Sequence, residues 1–386
     1  MLPANNVSRL QNEGAFQVLA RAAELSRQGR DVINLGIGQP DFKTPEHIVE
    51  AAVKALRDGH HGYTPATGIL PLREAVAVDI EVRRGASVNP DNVIIMPGGK
   101  PTMFFAILMF GQPGAEIIYP DPAFPIYRSM IEYSGAKGVP IALREENDFA
   151  FFADEILAAI TPATRLIIIN SPSNPTGGAT PKAEMDKLVA GLADWPDVVI
   201  LSDEIYSRML YDGVEHVSLM GYPEIRDRLI LLDGWSKTYA MTGWRLGYSV
   251  WPDALISDAE KFCVNAHSCV NAPTQFAGLA ALTGPQDAVD EMMVAFSARR
   301  SAIVKELNSM PGVTCVNPAG AFYAFPNIAD AVENPAAFQE RLLEEVGVAA
   351  ISGESFGNAG AGFIRFSYAN SIENIEEAMK RMRTLL

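Results

Sequence analysis

Seven short apolar runs, each bounded by turn residues, limit how this chain can fold: Val93–Met96, Glu116–Tyr119, Gly138–Leu143, Leu166–Ile169, Val198–Leu201, Leu229–Leu232 and Leu246–Val250. Several are apolar throughout rather than alternating, the pattern of strands buried on both faces. Helical patterns separate most of them, Pro101–Phe110 and Pro181–Leu192 among them. Strands alternating with helices specify an α/β domain with a mainly parallel sheet.

The flanks read differently. Residues 1–14 are polar and irregular. A helix is expected over Ala15–Arg27, a short strand over Val32–Leu35, a helix over Pro45–Arg57 with Thr44 as its N-cap, a loop over Tyr63–Gly68 and a helix over Pro71–Arg83. Past Ala254 the pattern is helical (Ala254–Cys263, Pro273–Leu282, Asp287–Ser309). Short strands (Val313–Asn317, Phe322–Phe325, Gly362–Ser367) then mix with helices (Ala336–Glu345, Ile372–Leu385). A chain of 386 residues is long enough for two domains. We assign 45–285 to the large one and 1–44 with 286–386 to a smaller α+β one.

Composition narrows the function classes. With 48% apolar and 20% charged residues the chain is built to fold, and a net charge of −15 argues against a nucleic-acid partner. Cys263, Cys269 and Cys315 have no CxxC spacing and an odd count, which suits a reducing compartment. The opening residues show no export signal, and the longest apolar run, Met103–Phe110, is far short of the ~20 residues of a membrane span. A cytoplasmic protein without a membrane partner is expected. His47, His60, His61, His216 and His267 show no metal-binding spacing, so no metal is expected.

Ligands of an open parallel sheet bind beyond the carboxyl ends of its strands, so the residues following each run matter most. Pro97-Gly98-Gly99-Lys100-Pro101 is either a plain capping turn or an anion site at a helix N-terminus; Ile94 and Pro101 rule out a Walker loop. Gly36-Ile37-Gly38 lacks the third glycine of a dinucleotide fingerprint, and Pro40 stands in its way. Phe124 and Tyr127 are either core or a stacking face. Asn174-Pro175 is a turn that also offers an amide. Asp203 and Tyr206 place a carboxylate and a phenol together. The run Leu229–Leu232 leads into Asp233–Tyr248, where Ser236, Lys237 and Arg245 stand among small and apolar residues. Apolar surroundings disfavour the charged lysine and make it a nucleophile. An anion cradle, an aromatic face, an amide, a carboxylate, a phenol and a lysine at one sheet edge are the parts of a pyridoxal phosphate site.

The run Ser236-Lys237-Thr238-Tyr239-Ala240-Met241-Thr242-Gly243-Trp244-Arg245-Leu246-Gly247-Tyr248 resembles the class I/II aminotransferases, fold type I pyridoxal phosphate enzymes. Tyr63-Thr64-Pro65, Gly98-Gly99-Lys100, Asn174-Pro175-Thr176-Gly177, Asp203-Glu204-Ile205-Tyr206 and Arg365-Phe366-Ser367-Tyr368 support it, and it extends from near residue 5 to near residue 385. The resemblance implies a large domain with a seven-stranded, mostly parallel sheet, a small domain from both termini, and a homodimer with shared active sites.

By the same resemblance Lys237 carries the cofactor as a Schiff base and moves the substrate proton, and Asp203 pairs with the pyridine nitrogen. Asn174 and Tyr206 bond the phenolic oxygen, and Phe124 stacks on the ring. Ser236, Arg245 and the amides of Gly99 and Lys100 bind the phosphate, which Tyr63 reaches from the partner subunit. Arg365, with Asn174 and the Gly38 backbone, takes the substrate α-carboxylate. The implied reaction is ping-pong transfer of an amino group from an L-amino acid to a 2-oxo acid, such as 2-oxoglutarate, through pyridoxamine phosphate. C–S β-elimination on the same fold is the alternative, and a non-catalytic regulator is disfavoured by the acidic charge. Pro101-Thr102-Met103 departs from the more usual Gln-Ala-Leu, and Asp233 puts a second acid near the phosphate loop. Arg9, Arg21, Lys100, Arg128 and Lys261 are the candidate cations for a substrate side-chain carboxylate, while Phe16 and Ile37 suit an apolar wall.

Overall fold

The structure, a computed structural model, describes residues 2–11 and 14–386; Met1, Asn12 and Glu13, part of the stretch read as irregular, lie outside the described residues. The strands in chain order are β1 (Ile33–Asn34), β2 (Val93–Met96), β3 (Glu116–Asp121), β4 (Lys137–Ala142), β5 (Thr164–Asn170), β6 (Val199–Asp203), β7 (Leu229–Gly234), β8 (Gly247–Val250), β9 (Tyr323–Ala324), β10 (Val348–Ala349), β11 (Ile351–Ser352) and β12 (Ile364–Ser367).

The seven apolar runs become one sheet, β2 to β8, ordered β2-β8-β7-β6-β5-β3-β4. Strand β8 runs antiparallel to β2 and β7, and the other pairings are parallel. The all-apolar pattern has a direct cause. Successive side chains of a strand point to opposite faces. Ile95, Ile167, Ile200 and Leu231 enter one core, while Ile94, Leu166, Leu201 and Ile230 enter another across the sheet. Neither face is left for water, so polar alternation would leave uncompensated buried groups.

A further core forms where β1 pairs with β10 and where β11, β12 and β9 make a small antiparallel sheet. It joins Ile33 and Leu35 to Phe296, Phe338, Phe366 and Met379, so residues from near the two ends of the chain share one interior.

Two local expectations are corrected. Thr44 does not cap the second helix, which spans Glu46–Arg57 with Pro45 at the cap position and no capping side chain. Its hydroxyl instead donates to Ala240 O at 2.8 Å and accepts from Trp244 Nε1 at 3.0 Å, tying that region to the loop after Lys237. Val313–Asn317 is not a strand; its pairing shrinks to a single bridge between Thr314 and Asn327. The helices Ile126–Ser134, Ala153–Ala159 and Trp235–Thr238 add to those expected from the sequence. Among the described residues, no helix is long and apolar enough to cross a membrane.

Candidate active site

At the carboxyl edge of the large sheet lies a cavity of about 510 Å³. Strands β5 and β6 end in it at Asn170 and Asp203. Strand β7 delivers the chain into the short helix Trp235–Thr238, which carries Ser236 and Lys237 to the wall. Gly99 and Lys100 arrive after β2, Phe124 after β3, and Tyr323 and Arg365 from the small sheet. Gly38, Asn174, Tyr206 and Arg245 complete the set, so of the residues to which the resemblance gives a cofactor or α-carboxylate role only Tyr63 is elsewhere; it is 93% exposed.

Lys237 Nζ donates to Gly38 O at 2.6 Å and sits 5.7 Å from the Phe322 ring centre and 6.0 Å from that of Tyr206. The Tyr206 and Tyr323 hydroxyls share a hydrogen bond of 2.8 Å. Asp203 is buried; its Oδ2 accepts from the Tyr127 hydroxyl at 2.6 Å and its Oδ1 from Ile205 N at 3.2 Å. Burial lifts this carboxyl from its ordinary 3.8 to about 6, with the Tyr127 and Ile205 donors pulling the other way.

Arg365 is buried, donating from Nη1 to Asn174 Oδ1 at 2.9 Å and from Nη2 to Gly36 O at 2.5 Å, and its guanidinium lies 4.5 Å from the Tyr323 ring centre. Sequence reasoning set the Gly38 backbone beside Arg365. The carbonyl that accepts from Arg365 is that of Gly36, and the Gly38 carbonyl accepts from Lys237.

The cradle after β2 is made by close approach. Helix Lys100–Phe110 starts at Gly99, and the first amides of a helix have no acceptors within it. Gly98 has φ +89°, and a Cβ there would stand 2.2 Å from Arg245 Nη2. Arg245 is itself left-handed at φ +54°, as is Ala240 at φ +52°. Non-glycine residues in this region cost about 1–3 kcal/mol each, and such strain clusters at ligand clamps.

Of the five candidate cations for a substrate carboxylate, Lys100 lines the cavity and the other four do not. Its ammonium lies 5.4 Å from the Phe16 ring centre and 5.2 Å from that of Phe124. Phe16 and Ile37 line the same cavity.

Sequence reasoning missed Asn170 and Tyr323 and gave Tyr127 no partner. The available signal was position: Asn170 directly follows an apolar run, and Tyr323 lies in a segment read as a strand. Asp233, the second acid near the phosphate loop in sequence, turns its carboxylate away from the cavity. It accepts from Arg84 Nη2, from Ser207 Oγ at 2.9 Å and from Gly234 N at 2.6 Å, and it does not line the cavity. Arg84 Nε donates at 2.8 Å to Glu204, whose carboxylate also accepts from Ser202 Oγ (2.9 Å), Ser218 Oγ (2.8 Å) and Leu219 N (3.2 Å) and lies 2.8 Å from His216 Nε2. Burial weighs against the Glu204 anion, but His216 and Arg84 outweigh it and hold the carboxyl well below its ordinary range. Among the described residues, no group of three or more His, Cys, Asp or Glu side chains stands where it could hold a metal ion.

Residues 30–382 match the family model described as aminotransferase class I and II. The chain is 40% identical to an aspartate aminotransferase of Pyrococcus horikoshii over 99% of its own length and 97% of the relative's. It is 38% identical to aromatic-amino-acid aminotransferase 2 of Thermococcus litoralis over 94% of each chain. The crystal structure of an aspartate aminotransferase from Rhizobium meliloti superposes with a TM-score of 0.94 at 35% identity, covering 100% of this chain and 98% of that one. The chain therefore belongs to the class I and II aminotransferases, pyridoxal-phosphate-dependent enzymes that move an amino group between an amino acid and a 2-oxo acid.

Proposed function

We propose that this cavity binds pyridoxal 5′-phosphate and exchanges the amino group of an acidic or aromatic L-amino acid with a 2-oxo acid such as 2-oxoglutarate. The observation that carries the reading is the convergence of Lys237, Asp203, Arg245 and Arg365 on one cavity. The donor set fits the cofactor. The absence of a side chain at Gly98 lets Arg245 close on the helix start. A phosphate there would be met by a guanidinium, the Ser236 hydroxyl and the Gly99 and Lys100 amides. Asp203 is buried with two donors and would gain from a cationic ring nitrogen by about 1.5–3 kcal/mol, as charge-assisted bonds do.

When bound, the cofactor supplies an electron sink for the substrate Cα. Lys237, beside the Phe322 and Tyr206 rings, would hold the cofactor covalently and, once released, carry the proton at Cα. Tyr206 would bond the ring's phenolic oxygen and Phe124 would cover a ring face. Asn174 holds one arm of Arg365, fixing the fork that would receive the α-carboxylate. Lys100 would meet a side-chain carboxylate, and Phe16 and Phe124 beside it would accept an aromatic one.

The division into a large domain, 45–285, and a small one, 1–44 with 286–386, is supported by the shared core of Ile33, Leu35 and the C-terminal helices. A homodimer is supported by the exposure of Tyr63 and by the open groove of about 820 Å³ that Arg245 shares with Phe42, Trp244 and Asn271. There Tyr63 of the partner subunit would reach the phosphate; sedimentation of the holoenzyme as a monomer would refute this. The reaction is tested with an amino donor alone. Glutamate should bleach the visible band of the holoenzyme and release one equivalent of 2-oxo acid, and adding a 2-oxo acid should restore the band. Pyruvate and ammonia released from a cysteine conjugate without acceptor would favour C–S lyase chemistry instead.

A further inference from the structure

Behind the cavity, the same two strand ends carry a second pair of acids that the proposed reaction does not use. Glu204 follows Asp203 directly at the end of β6, and Asp233 precedes the Ser236-Lys237 turn at the end of β7. In the parallel register of β6 and β7, Asp203 stands opposite Leu232, and Glu204 N donates to Leu232 O at 2.8 Å. Past this point β7 leaves β6 but stays paired with β8 through Gly234, opposite Gly247, before Trp235 N donates to Leu246 O at 3.4 Å at the start of the Lys237 helix. Beyond the ladder Ser207 Oγ, past the end of β6, reaches Asp233 at 2.9 Å, and one side chain holds both carboxylates. Arg84, at the C-terminus of helix Leu70–Arg84, donates through Nε to Glu204 and through Nη2 to Asp233. All three side chains are buried.

A buried ion pair is weak evidence of stability, because apolar residues of similar volume often do as well or better. A planar guanidinium with each arm on a different carboxylate fixes a distance and an angle, which neither an ammonium nor a hydrocarbon does. We infer that Arg84 is a positioning residue: by pinning Glu204 and Asp233 it sets the spacing between Asp203 and Lys237 and hence the seat of the cofactor between them. This rests on the roles proposed above for Asp203 and Lys237.

The test uses two holoenzyme variants. Arg84→Lys keeps the charge without the fork. Arg84→Met/Glu204→Gln/Asp233→Asn removes the charges and keeps the shape. Each is measured for kcat and KM in transamination, for the visible circular dichroism of the bound cofactor and for Tm. The expected result is a fall in kcat of about tenfold for Arg84→Lys and up to about 100-fold for the triple variant, the scale of a small misplacement of reacting groups. KM should stay near wild type, and the dichroic band should weaken in the same order. Wild-type kcat with a wild-type dichroic band in Arg84→Lys would overturn the inference, as would a lowered Tm as the sole change in either variant. Failure of the underlying reading is separable, because it would show as turnover surviving Lys237→Ala.

Discussion

Asp203 and Glu204 are neighbours in sequence and both are buried, yet they live in opposite electrostatic worlds. Glu204 faces the back of the sheet, where Arg84, His216, two hydroxyls and an amide surround it, and its carboxyl is held well below the ordinary range. Asp203 faces the cavity with a tyrosine hydroxyl and one amide, and burial lifts its carboxyl to about 6. Because successive strand residues point to opposite faces, one turn of the backbone can serve architecture on one side and ligand on the other. The back is satisfied by the protein itself; the front keeps bonding capacity for what it binds.

Substitutions can separate the two faces. The largest effect is expected at the front. Lys237→Ala should lower kcat/KM by about 10⁴-fold, the upper range for a positioned proton carrier, while leaving the chemical denaturation midpoint of the protein near wild type. Loss of activity accompanied by unfolding would mean that the front is structural too. At the back, Glu204→Ala leaves Arg84 with Asp233 alone and orphans Arg84 Nε, two hydroxyls and an amide in a buried site, and should destabilise the protein by about 3–5 kcal/mol in urea titrations. A change under about 1 kcal/mol would show that the back-face network contributes little. Smaller still is Lys100→Ala, expected to reduce kcat/KM for aspartate and glutamate by about 10- to 100-fold, the worth of a charge-assisted bond, and to spare phenylalanine. Equal losses on both substrate types would place Lys100 with the phosphate rather than with the substrate side chain.

Much of this was legible in the sequence, and the boundary has physical reasons. The large-sheet strands were readable because burial on both faces forces continuous apolar runs, and their order along the chain marks where each delivers its terminal residue. Residues that carry chemistry alone at a strand end, such as Lys237 and Asp203, could be picked out from type and position. Pairings were not legible. The Arg84 contacts to Glu204 and Asp233, the Tyr127 contact to Asp203 and the Tyr206 contact to Tyr323 join residues far apart in the chain, and only the packing of helices and both sheets brings them together. Thr44 shows the converse: its place before Pro45-Glu46 suggested a cap, but tertiary contacts to Ala240 and Trp244 claim its hydroxyl. Val313–Asn317 failed as a strand because β-pairing there reduces to one bridge.

The contrast between the two carboxylates predicts opposite pH dependence, and Asp203 gives the most direct test. A carboxyl raised in the folded state favours folding below its ordinary value of 3.8 and loses that contribution as pH rises through about 6. Held at about 6 against 3.8, Asp203 costs the cofactor-free protein about 3 kcal/mol at neutral pH. Urea denaturation of the cofactor-free protein from pH 4 to pH 8 should therefore find Asp203→Asn more stable than wild type at neutral pH, with the gap closing toward pH 4. A variant less stable than wild type at pH 7, or a gap that does not change with pH, would contradict the claim that the cavity face of this strand is held for a ligand rather than for the fold.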